Sequence, residues 1–536
     1  MMPLVLGFQL GDHTWERLGK FANVIPSLSS VKTLKVMSSE NLVKPCDEAQ
    51  NSELEEDLSP TQDVIKTSED GLMMKVLEEE MQSGCVKRRF KYKRRRYRHK
   101  CVPRSLQMFP CSGKVEEQDE EEPQGAGPFF FIGGANGAEI VSAYCEKRGW
   151  KRIYNKHTAD FKLKWCENKS PSTYRNFRKG EQLVYQIPNN NVLTTKIGLL
   201  SSLREYDRVS SKVKHSRALR RLKIEEFIPT TFRMDVKQER EDFFAQQGGV
   251  SNNHGQMWIC KPTALNQGRG IFLLKSLQDV VAFKVKLQDI EDRRAKAKTL
   301  QRQPQAYIVQ HYIQRPLLLK GKKFDVRSFL LIACTSPYMV FFHHGYVRLT
   351  CDLYDPSSKN LSAHLTNQYM QMKNPLYSQV KEDTVWSMES FNAYVNDRFQ
   401  VAKRLPRDWV LGAFTRRMQQ IMTQCFFAAK SKLDCRLGFF DLIGCDFMVD
   451  EDFKVWLLEM NCNPALHINC EVLREVIPPV VVETLDVTLE IFHKRLLRQR
   501  ILPLASRRGF VLLYDGPDSS ALTCKRRHRR RKRKQS

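Results

Sequence analysis

At 536 residues, with 41% hydrophobic and 10% aromatic side chains, the chain is long enough for two to four domains and a sizeable core. Its formal net charge of +27 is unevenly placed: Lys87–Lys100 holds ten Lys/Arg and Lys525–Lys534 holds nine, so the body between them is only moderately basic. The 15 cysteines, odd in number and without a C-x-x-C pair, argue against a disulfide framework or a zinc cluster and for reduced thiols.

Residues 1–126 read as a disordered, charged leader, rich in Glu, Ser, Lys and Gln, with an acidic run at Glu116–Glu122 and closed by Gly125-Ala126-Gly127-Pro128. Its first residues, MMPLVLGFQLGDHTWERLGK, lack a basic start, so no secretory signal is expected. Phe129–Ile132 reads as a buried strand, Gly133–Gly137 as a tight turn and Ala138–Arg148 as a helix. That turn lacks both GxxxxGK[ST] and G-x-G-x-x-G, so its expected role is structural.

Residues 149–235 alternate short apolar runs with polar turns. Met257–Cys260 and Ile271–Leu274 read as strands flanking the loop KPTALNQGRG, and Leu277–Lys286 as a helix. Gln305–Ile313 and Phe324–Cys334 read as further strands. The apolar stretch Phe329–Phe342 is too short to span a membrane. Asp408–Lys430 has the apolar spacing of a long amphipathic helix. Glu471–Arg498 reads as a second helical stretch interrupted by Pro478-Pro479. The whole is a mixed α+β pattern.

Four segments carry chemistry. Lys261 leaves a strand where it could reach a phosphate, and Gly268 and Gly270 allow backbone N–H groups to approach phosphate oxygens, with Arg269 adding charge between them. An ordinary glycine hairpin would read much the same. Gln310-His-Tyr312-Ile313 is a strand end that could offer backbone groups to an adenine. Lys323, Asp325 and Arg327 alternate, hence share one strand face. They form either structural ion pairs, Lys323 or Arg327 to Asp325, or a clamp for phosphate or carboxylate.

Last comes Gly444–Leu466, GCDFMVDEDFKVWLLEMNCNPAL, which reads as a β-hairpin. A two-residue turn at Glu451-Asp452 would set Asp446 diagonally across from Glu459, on the face shared with Asn461. Two carboxylates and an amide oxygen suit a hard cation such as Mg²⁺. Solvated strand acids are the plain alternative for this hairpin taken alone.

In order, these segments resemble the ATP-grasp architecture and more closely the tubulin tyrosine ligase-like family. The matching pieces are FIPTTFRM, WICKPTALNQGRGI, IVQHYIQRPLL, KFDVRSFLLI, HLTNQ, LGFFDLIGCDFMVD and VWLLEMNCNPAL, spread over residues 128–500. Within the family the chain most resembles a chain-elongating polyglycylase branch. Met460 and Cys462 stand where many relatives carry Val and Ser, but both alternate away from the proposed metal face.

The resemblance implies an α+β, ATP-grasp-like fold: leader 1–126, N-terminal α/β subdomain 127–235, central subdomain 236–345, C-terminal subdomain 346–503 with the metal site, and basic tail 504–536. It implies ATP and two Mg²⁺ as cofactors. Lys261, Gln267, Gly268, Arg269, Gly270 and Ile271 would cover the phosphates, and Gln310, Tyr312 and Ile313 would frame the adenine. Asp446, Glu459 and Asn461 would hold the metal. Arg327 and Lys323 would act with Glu459 in catalysis, and Thr366 and Asn367 would orient acceptor or amino acid.

The expected reaction is ATP-dependent addition of glycine, or alternatively glutamate, to glutamate carboxylates of tubulin and other acidic proteins through an acyl phosphate. The implied setting is cytoplasm, cytoskeleton and axoneme, with the protein a monomer. The basic runs, one interleaved with Phe90, Tyr92 and Tyr97, could attract acidic acceptors or nucleic acid. Nucleic acid is the less favoured partner, and a weakly active or inactive microtubule-binding protein is the remaining alternative.

Overall fold

The computed structural model describes residues 122–211, 221–248, 255–263, 265–296 and 306–517. Both basic runs and the leader up to residue 121 lie outside them.

The first strands are β1 (Phe129–Gly133), β2 (Lys151–Ile153), β3 (Leu163–Cys166) and β4 (Leu183–Tyr185), with helix α1 (Ala138–Glu146) after β1. They form a parallel array in the order β4-β3-β1-β2. Helix α2 (Lys196–Ser210) follows, its first turn capped by Thr195, whose hydroxyl accepts from the Gly198 N–H.

A separate four-stranded sheet comprises β5 (Thr231–Arg233), β6 (Trp258–Pro262), β7 (Phe272–Leu274) and β8 (Tyr307–His311), in the order β5-β8-β6-β7. Helices α3 (Lys237–Gly248) and α4 (Leu277–Lys296) belong to this region. Its core is aromatic: Phe243, Trp258, Phe283 and Tyr307 pack with Val309 and Cys260.

The chain then enters β9 (Leu318–Leu319), β10 (Lys322–Thr335), β11 (Tyr338–Leu349), β12 (Val385–Ser387), helix α5 (Met388–Phe399), β13 (Phe439–Val449), β14 (Val455–Asn461) and β15 (Val511–Asp515). These strands extend the first array into one mixed sheet of eleven, through parallel pairing of β13 with β4 and antiparallel pairing of β10 with β11 and β13. Leu330 and Ile332 lie on one face with α6 (Thr415–Lys430); Phe329, Leu331 and Ala333 lie on the other with α7 (Glu471–Leu496). The run FLLIAC is apolar without a break because both faces of its strand are covered.

Several expectations change. The prolines do not interrupt α7: it runs continuously through Pro478 and Pro479. Ile477, Val480 and Val481 around them are fully buried against the sheet, and that packing outweighs the lost backbone bonds. Asp408–Lys430 is not one α-helix but a π-helical turn, Val410–Phe414, followed by α6. A division at residue 345 would cut β11, and the 127–235 segment shares its sheet with the C-terminal strands.

The segment assigned to the tail from 504 onward begins with ordered chain. β15 pairs with β11, and buried Glu483 accepts the backbone N–H groups of Arg508, Gly509 and Phe510 at 2.5, 2.9 and 3.1 Å. At the leader's end, Glu122 accepts from the backbone of Asn155 at 2.5 Å. Among the described residues no helix is long and apolar enough to cross a membrane. The ten described cysteines are free thiols, eight of them buried.

Candidate functional site

The site lies where the four-stranded sheet meets the large one. A cavity of about 80 Å³ is lined by Lys261, Gln267, Gly268, Ile271, Gln310, Tyr312, Ile313, Lys323, Thr366, Asn367, Asp446 and Glu459, all named from the sequence, and by Lys196, Asp325 and His364 as well. Arg269, Gly270, Arg327 and Asn461 do not line it. A second cavity of about 300 Å³ adjoins it, shares Lys196, Gln310 and Glu459, and takes in Asn461 and Cys462.

The hairpin register differs from the expected one. The loop is longer than two residues, with Val449 opposite Val455, and a bulge between Asp446 and Phe447 brings Asp446 directly opposite Glu459. Glu459 and Asn461 share a face, as alternation requires.

The charge row on β10 does not form the expected ion pairs of Lys323 or Arg327 with Asp325. Asp325 is held by Arg348 from β11, at 2.7 and 2.6 Å, and accepts the Thr366 hydroxyl at 2.7 Å. Arg327 instead grips Asp446 on β13, at 2.5 and 3.1 Å, and Arg348 also reaches Asp446 at 2.9 Å. The result is a buried ladder across three strands: Thr366, Asp325, Arg348, Asp446, Arg327. Burial would raise the Asp446 carboxyl, but the two guanidiniums outweigh it and hold the group at about 2. Arg327 Nη1 is buried and has no hydrogen-bond partner among the described residues.

The amines are less satisfied. Lys261 donates to Gln310 at 2.7 Å, and Gln310 donates to Thr231 at 2.9 Å. Burial lowers Lys261 to about 8 against the pull of Glu459. Burial, reinforced by Lys261, lowers Lys323 to about 7. Lys196 stands 3.4 Å from Glu459. Five cations, Lys196, Lys261, Lys323, Arg327 and Arg348, therefore face three carboxylates, Asp325, Asp446 and Glu459. Such an excess in a desolvated cleft suits a polyanionic ligand.

The glycine loop has positive φ at Gln267, Gly268 and Gly270 (63°, 73° and 70°). A Cβ on Gly268 would come within 3.0 Å of Met370 and 3.2 Å of the Asn367 amide oxygen, so glycine is needed for this close approach. Arg269 is held by Gln267 at 2.8 Å and stands over the Tyr369 ring. β8 is an interior strand, not an edge. The N–H groups of His311 and Tyr312 are bonded to the Thr230 and Met257 carbonyls, and Ile313, beyond the strand end, lines the cavity.

Asn461 tests the metal expectation. Its amide nitrogen lies 3.3 Å from Asp446 Oδ2 and 3.2 Å from Glu459 Oε1. Turning the amide over would aim three oxygens at one place, which fits a hard cation. Among the described residues, no group of three or more His, Cys, Asp or Glu could hold a metal.

Sequence reading missed Lys196 and Arg348, and gave His364, the first residue of HLTNQ, no role. Lys196 and Arg348 sit on otherwise ordinary helix and strand patterns, and only the fold brings them to the carboxylates. It also missed the reach of the turn after β1. Asn136 donates to Pro464 O at 2.7 Å and accepts from Leu466 N at 2.8 Å, tying that turn to the end of the hairpin.

The family model described as "Tubulin-tyrosine ligase family" matches residues 175–496. The chain is 59% identical over 413 residues to the protein polyglycylase TTLL10 of Mus musculus, covering 77% of this chain and 58% of that one. It is 56% identical over 418 residues to the inactive polyglycylase TTLL10 of Homo sapiens, covering 73% and 61%. Tubulin glycylase 3A of Drosophila melanogaster is 31% identical over 270 residues, 49% of this chain and 24% of that one. The chain thus spans about three fifths of the length of the two polyglycylase relatives.

Proposed function

The chain belongs to the tubulin-tyrosine ligase family, and from that premise we propose that it is an ATP-dependent ligase that extends glycine chains on glutamate side chains of acidic proteins, tubulin foremost. One observation above all supports this reading: three amines, Lys196, Lys261 and Lys323, share a cavity with two facing carboxylates, Asp446 and Glu459.

In this reading the two sheets hold ATP as in ATP-grasp enzymes. Gln310, Tyr312 and Ile313 frame the adenine; Lys261, Lys196 and the Gln267–Ile271 loop cover the phosphates. Asp446, Glu459 and Asn461 would hold Mg²⁺, which would neutralise phosphate charge. An acceptor carboxylate oxygen attacks the γ-phosphorus and ADP leaves. The amine of glycine then attacks the acyl carbon, phosphate departs, an amide forms and the amine loses its proton. Arg327, whose Nη1 has no hydrogen-bond partner among the described residues, neutralises charge on the transferring group; Lys323, Thr366 and Asn367 orient the reacting groups. Positioning and electrostatics carry such transfers.

Glycine as donor is favoured by the names of the polyglycylase and glycylase relatives. A catalytically silent chain is the second reading, favoured by the human relative's name. Action on tubulin would place the protein at the cytoskeleton and axoneme. The deciding assay supplies ATP–Mg²⁺, an acidic acceptor and labelled glycine or glutamate in parallel, read by mass spectrometry. Glycine incorporation lost in Glu459→Gln is the expected result. Incorporation unchanged by that substitution defeats the proposed metal role, and glutamate incorporation alone defeats the choice of donor.

A further inference from the structure

His364 is nearly fully buried and the proposed reaction gives it no task, yet it ends a chain of hydrogen bonds that begins in the cavity. Lys323 Nζ donates to the Tyr312 hydroxyl at 2.8 Å. The Tyr312 hydroxyl meets His364 Nδ1 at 2.7 Å, and His364 Nε2 meets the Ser358 carbonyl at 2.8 Å. Lys323, Tyr312 and His364 are 2%, 3% and 2% exposed.

The carbonyl fixes the ring. It can only accept, so His364 Nε2 carries hydrogen. In the neutral ring Nδ1 is then an acceptor for the Tyr312 hydroxyl, which also has the Tyr354 hydroxyl as a side-chain partner. The lone pairs of Tyr312 are left toward Lys323. A protonated ring would aim a second donor at the oxygen that Lys323 already uses. It would also place a cation near Lys323 and Lys275, favoured by the Ser358 carbonyl and Asp355. Burial, with those lysines, accordingly lowers the His364 pKa.

Lys323 itself faces Lys261, Asp325 and the rings of Tyr312 and Tyr354. Among the described residues its two remaining N–H groups have no hydrogen-bond acceptor, and the side chain lines the cavity. The three members come from the end of β8, from β10 and from the segment that carries Thr366 and Asn367. The chain therefore ties that segment to the amine.

We propose that Tyr312 and His364 are positioning residues: through this oriented chain they hold Lys323 charged and aimed at a bound phosphate. The inference rests on the nucleotide-binding part of the ligase reading, not on glycine transfer.

The test measures ATP affinity of the full chain by calorimetry from pH 6 to 9, with melting temperature as a control, for wild type, Tyr312→Phe, His364→Leu and His364→Asn. Phe keeps the ring and its burial but removes the acceptor for Lys323. ATP binding should weaken about tenfold at pH 7.5, and the alkaline fall in affinity should move to lower pH, because the charged amine has lost its partner. His364→Leu should shift the profile the same way by less. His364→Asn, which keeps an acceptor for the Tyr312 hydroxyl, should recover part of the loss. A loss equal at every pH, or an unchanged profile in Tyr312→Phe at unchanged melting temperature, overturns the inference. So does wild-type protein that does not bind ATP. Normal pH-dependent binding without amino-acid incorporation would defeat the ligase reading alone.

Discussion

Two groups of charges meet at the candidate site and are built oppositely. The ladder on β10, β11 and β13 is closed on itself: Asp325 and Asp446 are each gripped by arginine through two hydrogen bonds, and almost every donor is satisfied. The amines Lys196, Lys261 and Lys323 are the reverse. Two make a single neutral hydrogen bond at their tips, and Lys196 makes two long contacts, to Glu459 at 3.4 Å and to the Leu265 carbonyl at 3.5 Å. The difference teaches that the ladder sets geometry, whereas the amines keep charge in reserve for a ligand. Binding energy is expected where protein partners are missing, since a buried charge gains most from its first counter-charge.

The harshest way to break this contrast is Asp446→Ala. It leaves Arg327 and Arg348 with an uncompensated buried charge, and a loss of about 3–5 kcal/mol in folding stability is expected, measured by urea unfolding. A loss below about 1 kcal/mol would mean the ladder is not the rigid element.

Lys261 is expected to act in the opposite direction. Its folded pKa lies below the unfolded one, as does that of Lys323, so the unfolded chain binds more protons in between. Stability of the ligand-free protein should therefore rise with pH from about 7 toward 10. Lys261→Met should be more stable than wild type near pH 7, by on the order of 1–3 kcal/mol, and should flatten that rise. A variant less stable at pH 7 would show that Lys261 is already satisfied without ligand.

Glu459→Gln sharpens the contrast most cleanly. Its pairing with Lys196 is partly exposed, so stability should change by less than about 1 kcal/mol. Glycine incorporation should nevertheless fall by roughly a hundredfold or more. Arg269→Ala, on the exposed loop, should alter stability by less than about 0.5 kcal/mol, and any effect should appear in ATP affinity.

Much of this was legible in residue order because local rules govern it. Alternation placed Glu459 with Asn461 and Lys323 with Asp325 and Arg327; glycines at 268 and 270 marked a loop that must approach Asn367. The hairpin itself was readable, but not its register, because the bulge at Asp446 depends on the pairing of β13 with both β10 and β14. The continuous α7 was misread because a proline pair weighs heavily in isolation and lightly against a buried apolar face. Local pattern also gave no sign of Lys196 or Arg348 and no role for His364.

The sequence by itself therefore determined which strands and loops carry charge, and its motifs placed the chain in its family, because strand alternation and turn chemistry act over a few residues. Only the tertiary structure decided which charge pairs with which: Arg327 with Asp446, Arg348 with Asp325, Lys323 with Tyr312. Coulomb attraction and hydrogen bonding act over a few ångströms of space, and chain order does not record that distance.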